Sequence, residues 1–268
     1  MTVLVHFSHI LTFATLFIAS IFDVRSELGD VPDEFAVTAI IGGLGLHAAE
    51  SFILGSWNPL IYSVVAGTIF SFYGWFAYWK GMWGGADALG LSALGFGAPY
   101  LVLSASGFIS HSFNMFFNLV AVAFVYTLVF ASIRALKKKG FGEQLRDKLY
   151  DDRLRIGLEL GLALVIFGFL SLQNAAVIYA ATAFMIFLYR FLQVVEEYAL
   201  VEEVDVDELD GGEVLKEDDK IRGVSEEEIS ELDGTVEVMH GLRFMPVFPA
   251  ALVLTDAGFT VLQYIILG

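Results

Sequence analysis

Apolar residues run along this chain in stretches of about 18 or more, the length a hydrocarbon slab of about 30 Å demands of a spanning helix. Polar or glycine-rich breaks separate them. The pattern predicts eight spans, at 3–22, 35–54, 59–79, 88–106, 113–135, 156–172, 175–195 and 244–266. The short polar stretch SLQN at 171–174 divides an apolar run too long for one crossing, so 156–195 is expected to be a helical hairpin inserted into the rest. The expected fold is an all-α polytopic membrane protein of about eight transmembrane helices, with a small acidic cytoplasmic module before the last. Its parts are a five-helix core over 1–136, a basic loop over 137–155, the hairpin, the acidic module over 196–243 and the final helix over 244–268.

Composition agrees with this reading. Of 268 residues, 57% are hydrophobic, which leaves a water-soluble fold too little polar surface to cover itself. The absence of cysteine excludes disulfides, thiol catalysis and thiolate metal ligation. The first apolar run has neither a basic leader nor a small-residue cleavage site, and is expected to remain as a span. The net charge of −16 is local, because residues 196–238 hold 18 acidic against three basic side chains. Alternating eight spans puts all 15 Lys and Arg on one side of the bilayer. Positive charge collects in cytoplasmic loops, so both termini are expected outside and the acidic module inside.

On that inner side, two carboxylates reach the membrane boundary. Asp23 closes the first span and Asp87 opens the fourth. An ionisable group at such depth is costly and is by default a functional candidate. Two close together do not both ionise easily, so the pair holds one proton, and one carboxylate serves as base toward water while the other serves as acid toward a carbonyl. Gly84 and Gly85, just ahead of Asp87, leave room for an extended peptide. Read singly, Asp87 is also an ordinary helix N-terminal cap, whereas Asp23 stands at a C-terminus, where the helix dipole disfavours it. Asp30, Asp33 and Glu34 read as solvated or capping residues, with Asp33 suited to cap the second span.

The residues FDVRS…VP, with Asp23, Arg25, Val31 and Pro32, and GGAD, with Gly84, Gly85, Ala86 and Asp87, resemble the two motifs of the archaeal type IV prepilin and preflagellin peptidases, which are GxGD membrane aspartyl proteases. The proline-containing GLRFMPVFPAALVL resembles the approach to that family's last helix. Ala86 stands where the second motif has a glycine, and the four-cysteine domain of bifunctional bacterial members is absent, so the resemblance is to the peptidase-only branch. It implies catalysis by Asp23 and Asp87 without a cofactor, with motif support from Arg25, Pro32, Gly84, Gly85 and Ala86. The substrates it implies are prepilin- or preflagellin-like proteins met at the lipid boundary of the cell membrane. Nucleic acid is not an expected partner.

Other features keep two readings each. His6, His9, His47 and His111, with Glu50, all map to the outer side, either as polar anchors or as ligands of a metal ion. The acidic module is a solvated tether or a recruiter of basic leaders, and VDVDELDGGEVLKEDD suggests a hairpin about its Gly-Gly. The rival class is a cation or metal transporter built on intramembrane carboxylates.

Overall fold

The structure is a computed structural model that describes residues 3–25, 31–167, 172–209, 214–216, 224, 226–232, 234–239 and 241–260. It is mostly helical. In chain order come α1 (Val3–Arg25), α2 (Asp33–Leu54), α3 (Asn58–Trp79), α4 (Gly85–Gly97), α5 (Ala105–Lys137), α6 (Phe141–Asp151), α7 (Arg153–Phe167) and α8 (Leu172–Val194). After these lie β1 (Val201–Asp205), β2 (Val214–Leu215), α9 (Glu226–Ile229), β3 (Thr235–Met239) and α10 (Val247–Asp256). Among the described residues, α1, α2, α3 and α5 are long and apolar enough to cross a membrane. These four helices fit a membrane protein.

The chain divides into two compact units, residues 1–127 with 242–268, and residues 128–241. In the first, α4 packs against α1, α2 and α3, and α10 packs against α1 and α4. Local chemistry sets the breaks. α2 stops at Gly55, whose φ of 61° closes a left-handed C-cap. Pro59 in the first turn of α3 restarts the helix, since its missing N–H would have had no partner there. α4 ends ahead of Pro99, which disfavours helical backbone at Ala98.

Two expected spans come out shorter. The expected span 88–106 overlaps α4, which starts earlier, at Gly85, and whose 13 residues cover roughly 20 Å. Residues 244–266 contain α10, whose 10 residues cover roughly 15 Å before the turn at Gly258. Residues 261–268 lie outside the described chain. Both helices are interior: Leu91 and Leu94 of α4 and Val247 and Phe248 of α10 have no exposed surface. A helix wrapped by protein can be apolar on every side without matching the bilayer's thickness. α5 is longer than the expected 113–135, starting at Ala105.

In the second unit, the expected basic loop carries the amphipathic helix α6, which buries Phe141 with Ala131, Val194, Val195 and Leu200. α7 and α8 occupy the expected hairpin, but residues 172–174 of the expected break at 171–174 already belong to α8, and residues 168–171 lie outside the described chain. A three-stranded antiparallel sheet follows, in the order β1-β3-β2. This corrects the hairpin expected between β1 and β2: each pairs with β3 instead. Past Asp205 the chain tightens into a 3-10 turn, and the Val206 N–H bonds the Gly234 carbonyl, so β1 ends before it can fold back on β2.

Candidate active site

Asp23 lies in the last turn of α1, only 6% exposed. One carboxylate oxygen accepts the Met245 N–H at 3.0 Å, two residues before α10 begins. The carboxylate is therefore set where the α10 dipole is positive, which offsets the unfavourable C-terminal end of its own helix. Arg243 lies within electrostatic reach of Asp23 and donates to the Val24 carbonyl, while the Tyr126 hydroxyl donates to the Arg243 carbonyl. The segment leading into α10 is thus fastened to the end of α1 and to α5.

Asp87 sits in the first turn of α4, half-buried, and accepts the Gly84 N–H at 3.2 Å. The capping role that a lone aspartate would have is therefore present. A second relation accompanies it: Asp87 lies within electrostatic reach of Asp23. The end of α1, the start of α4 and the approach to α10 thus meet at one end of the unit. Trp83, four residues ahead of Asp87, makes ring contacts with Tyr73, Phe244 and Phe248.

Of the other motif residues, Gly84 bonds Asp87 through its N–H. Arg25 is exposed in the last turn of α1 and Pro32 is exposed just ahead of α2. Among the described residues, no hydrogen bond or ion pair joins either to Asp23 or Asp87. Gly84 is exposed and extended, and Gly85 and Ala86 are half-buried in the first turn of α4. Asp33 begins α2 without a side-chain cap, Pro32 occupying the N-cap position. Asp30 and His240 lie outside the described residues.

At the opposite end of the same helices, the histidines separate into two groups. His47 and Glu50, both fully buried, meet the hydroxyl of Tyr100, which donates to Glu50 Oε2 at 2.8 Å. His9 and His111 instead gather with Asp256. His6 is exposed and stands outside both.

No family model, curated protein or solved structure matches the chain.

Sequence reasoning misses Tyr100, Tyr126 and Asp256, and assigns Arg243 only to the inner side. Asp256 does leave a signal, as a lone carboxylate inside the apolar run 244–266, which by default marks a functional position.

Proposed function

We propose that this protein is a membrane-embedded aspartic endopeptidase that removes leader peptides from prepilin- or preflagellin-like proteins at the cytoplasmic boundary. The observation that carries the reading is that Asp87 lies within electrostatic reach of Asp23, remote in sequence, at one end of a helical unit. In the reaction, the ionised carboxylate takes a proton from water as its oxygen attacks the scissile carbonyl carbon. The protonated carboxyl gives its proton to the carbonyl oxygen. Collapse of the tetrahedral intermediate breaks the C–N bond: the departing amine takes up the proton the base had received, and the carboxylate that acted as acid recovers a proton from a hydroxyl of the intermediate. The exposed, extended Gly84 gives a strand-like substrate backbone access beside Asp87. In this reading the chain crosses the bilayer eight times, both termini lie outside and the acidic segment inside. The resemblance of FDVRS…VP and GGAD to the prepilin peptidase motifs supports the substrate class.

The test is incubation of the full chain in detergent with a synthetic leader carrying a basic stretch followed by an apolar helix. Sequencing of the product N-terminus should place the cut just before the apolar stretch. An intact leader, or cuts scattered along it, would refute the proposal.

If the acidic residues of 196–238 attract the basic stretch, KM rises with salt while kcat stays level. Raising ionic strength from about 0.01 to about 1 M shortens the Debye length from about 30 to about 3 Å. A KM independent of salt would leave the segment as a tether.

A cation transporter is the second reading, favoured by the full burial of Glu50 beside His47 in α2. Cation uptake into proteoliposomes that is lost in Glu50→Gln, together with failure to cut any leader, would select it.

A further inference from the structure

We propose that His9, His111 and Asp256 form a site for one late first-row divalent cation, with Zn2+ as its probe, at the end of the first unit away from Asp23 and Asp87. His9 precedes Asp23 by 14 positions on α1, roughly 21 Å at the helical rise, so the site is separate from the proposed dyad.

One ligand atom from each of the three side chains lies within 4.8 Å of the other two. They come from three helices, α1, α5 and α10. Both histidines are buried, while the Asp256 side chain keeps 30% exposure, which leaves a path for an ion and a water.

Hydrogen bonding sets the histidine tautomers. His9 Nε2 lies 3.0 Å from the Tyr100 carbonyl oxygen, and His111 Nε2 lies 3.1 Å from that of Ala98. A carbonyl oxygen only accepts, so both Nε2 atoms carry hydrogen, and each neutral ring keeps its lone pair on Nδ1. An imidazole that donates one N–H to a backbone carbonyl while its other nitrogen is free to ligate is the usual support of metal-binding histidines. Here both supporting carbonyls belong to one turn, Ala98–Tyr100, which follows α4.

His9 Nδ1 faces both carboxylate oxygens of Asp256, at 3.0 and 2.9 Å. Positive charge must stand between such atoms. A proton would satisfy that pair alone, but it gives no part to His111, whose ring centroid is 5.5 Å from that of His9. A cation uses all three. Ligand atoms around tetrahedral Zn2+ stand about 3.3 Å apart, so the His9–Asp256 pair needs to open slightly and His111 to close by a small movement.

The frame around the site is held independently of the ion. Asn118, fully buried on α5, donates to Thr255 Oγ1 at 3.0 Å and to the Phe259 carbonyl at 2.8 Å, on either side of Asp256. The bond from the Tyr100 hydroxyl to Glu50 holds the turn that supplies the carbonyls. Two imidazoles and one carboxylate with a water-accessible face suit Zn2+ and its first-row neighbours better than Ca2+ or Mg2+, which prefer all-oxygen sets. Bound there, the ion ties the end of α10 to α1 and α5, just as Asp23 holds its beginning.

The test uses the full chain in detergent, stripped with a chelator and dialysed, with Zn2+ measured by equilibrium dialysis and Co2+ by its visible d–d absorption. The expected result is one ion per chain and a four-coordinate Co2+ spectrum. Affinity should fall more than about 100-fold in His111→Ala and in Asp256→Asn, since even the groups supporting a ligand are worth about 10–100-fold. His6→Ala should bind as the native chain does. If His111→Ala fails to elute as a single species, Asp256→Asn decides, because the amide keeps the shape of the carboxylate. No binding at micromolar free Zn2+, or binding that persists in Asp256→Asn, overturns the proposal.

Discussion

Asp23→Asn and Asp87→Asn are each expected to lower leader cleavage by about 10³-fold or more, with KM little changed. An amide can neither take a proton from the attacking water nor give one to the carbonyl oxygen, so either change removes one half of the acid–base pair. The same substitutions spare the fold, for a reason visible at each residue. In Asp23→Asn the amide oxygen can still accept the Met245 N–H, and in Asp87→Asn it can still accept the Gly84 N–H. Thermal transitions in detergent should therefore stay within a few degrees of the native chain. Neutralising Asp33 and Glu34, both exposed at the start of α2, serves as the control and should leave cleavage intact. Retention of more than about a tenth of native activity by either variant would fall short of what acid–base work contributes and would remove the dyad from the mechanism.

What the sequence disclosed follows from the kind of physics each feature obeys. The long helices α1, α2 and α3 were legible because a lipid-facing helix must be apolar over a length fixed by the bilayer. α4 and α10 carry the same apolar signal, but their surroundings are protein, so length no longer follows from the membrane and the expected spans overran them. Asp23 and Asp87 stood out as carboxylates at the ends of apolar runs, Asp87 with Gly84 and Gly85 ahead of it. Arg243 and Tyr126 did not, because their relation to Asp23 depends on how the approach to α10 docks against α1 and α5. In the sheet, the apolar alternation that opens VDVDELDGGEVLKEDD hinted at a strand, yet the common partner β3 of β1 and β2 lies beyond 230, where spacing along the chain gives no hint of pairing. The histidines were legible as a group on one side. Their division into a His47–Glu50–Tyr100 network and a His9–His111–Asp256 cluster required the helices to be placed.

Gly95→Leu is expected to abolish cleavage and to prevent recovery of folded protein, although Gly95 is far from the proposed chemistry. A Cβ on Gly95 would lie 2.8 Å from the Ala66 carbonyl oxygen and 2.8 Å from the Gly67 Cα, both backbone atoms of α3 that no rotamer change can move aside. Between helices in lipid, water does not drive association, so close backbone approach at small residues is itself the source of cohesion. Gly95→Ala should already cost about 1–3 kcal/mol through overpacking, read as a lower unfolding midpoint in a denaturing-detergent titration. Gly45, in α2, supplies the comparison, since a Cβ there meets nothing within 4 Å. Gly45→Ala should be neutral or should stabilise by up to about 1 kcal/mol, the ordinary gain from replacing glycine inside a helix. Opposite signs at two helical glycines would separate packing from helix propensity. Equal effects would mean that α3 and α4 do not approach as closely as their glycines allow. Because α4 carries Asp87 at its start, any variant that shifts α4 against α3 should lose cleavage before it loses helical content, which parallel activity and circular-dichroism titrations would resolve.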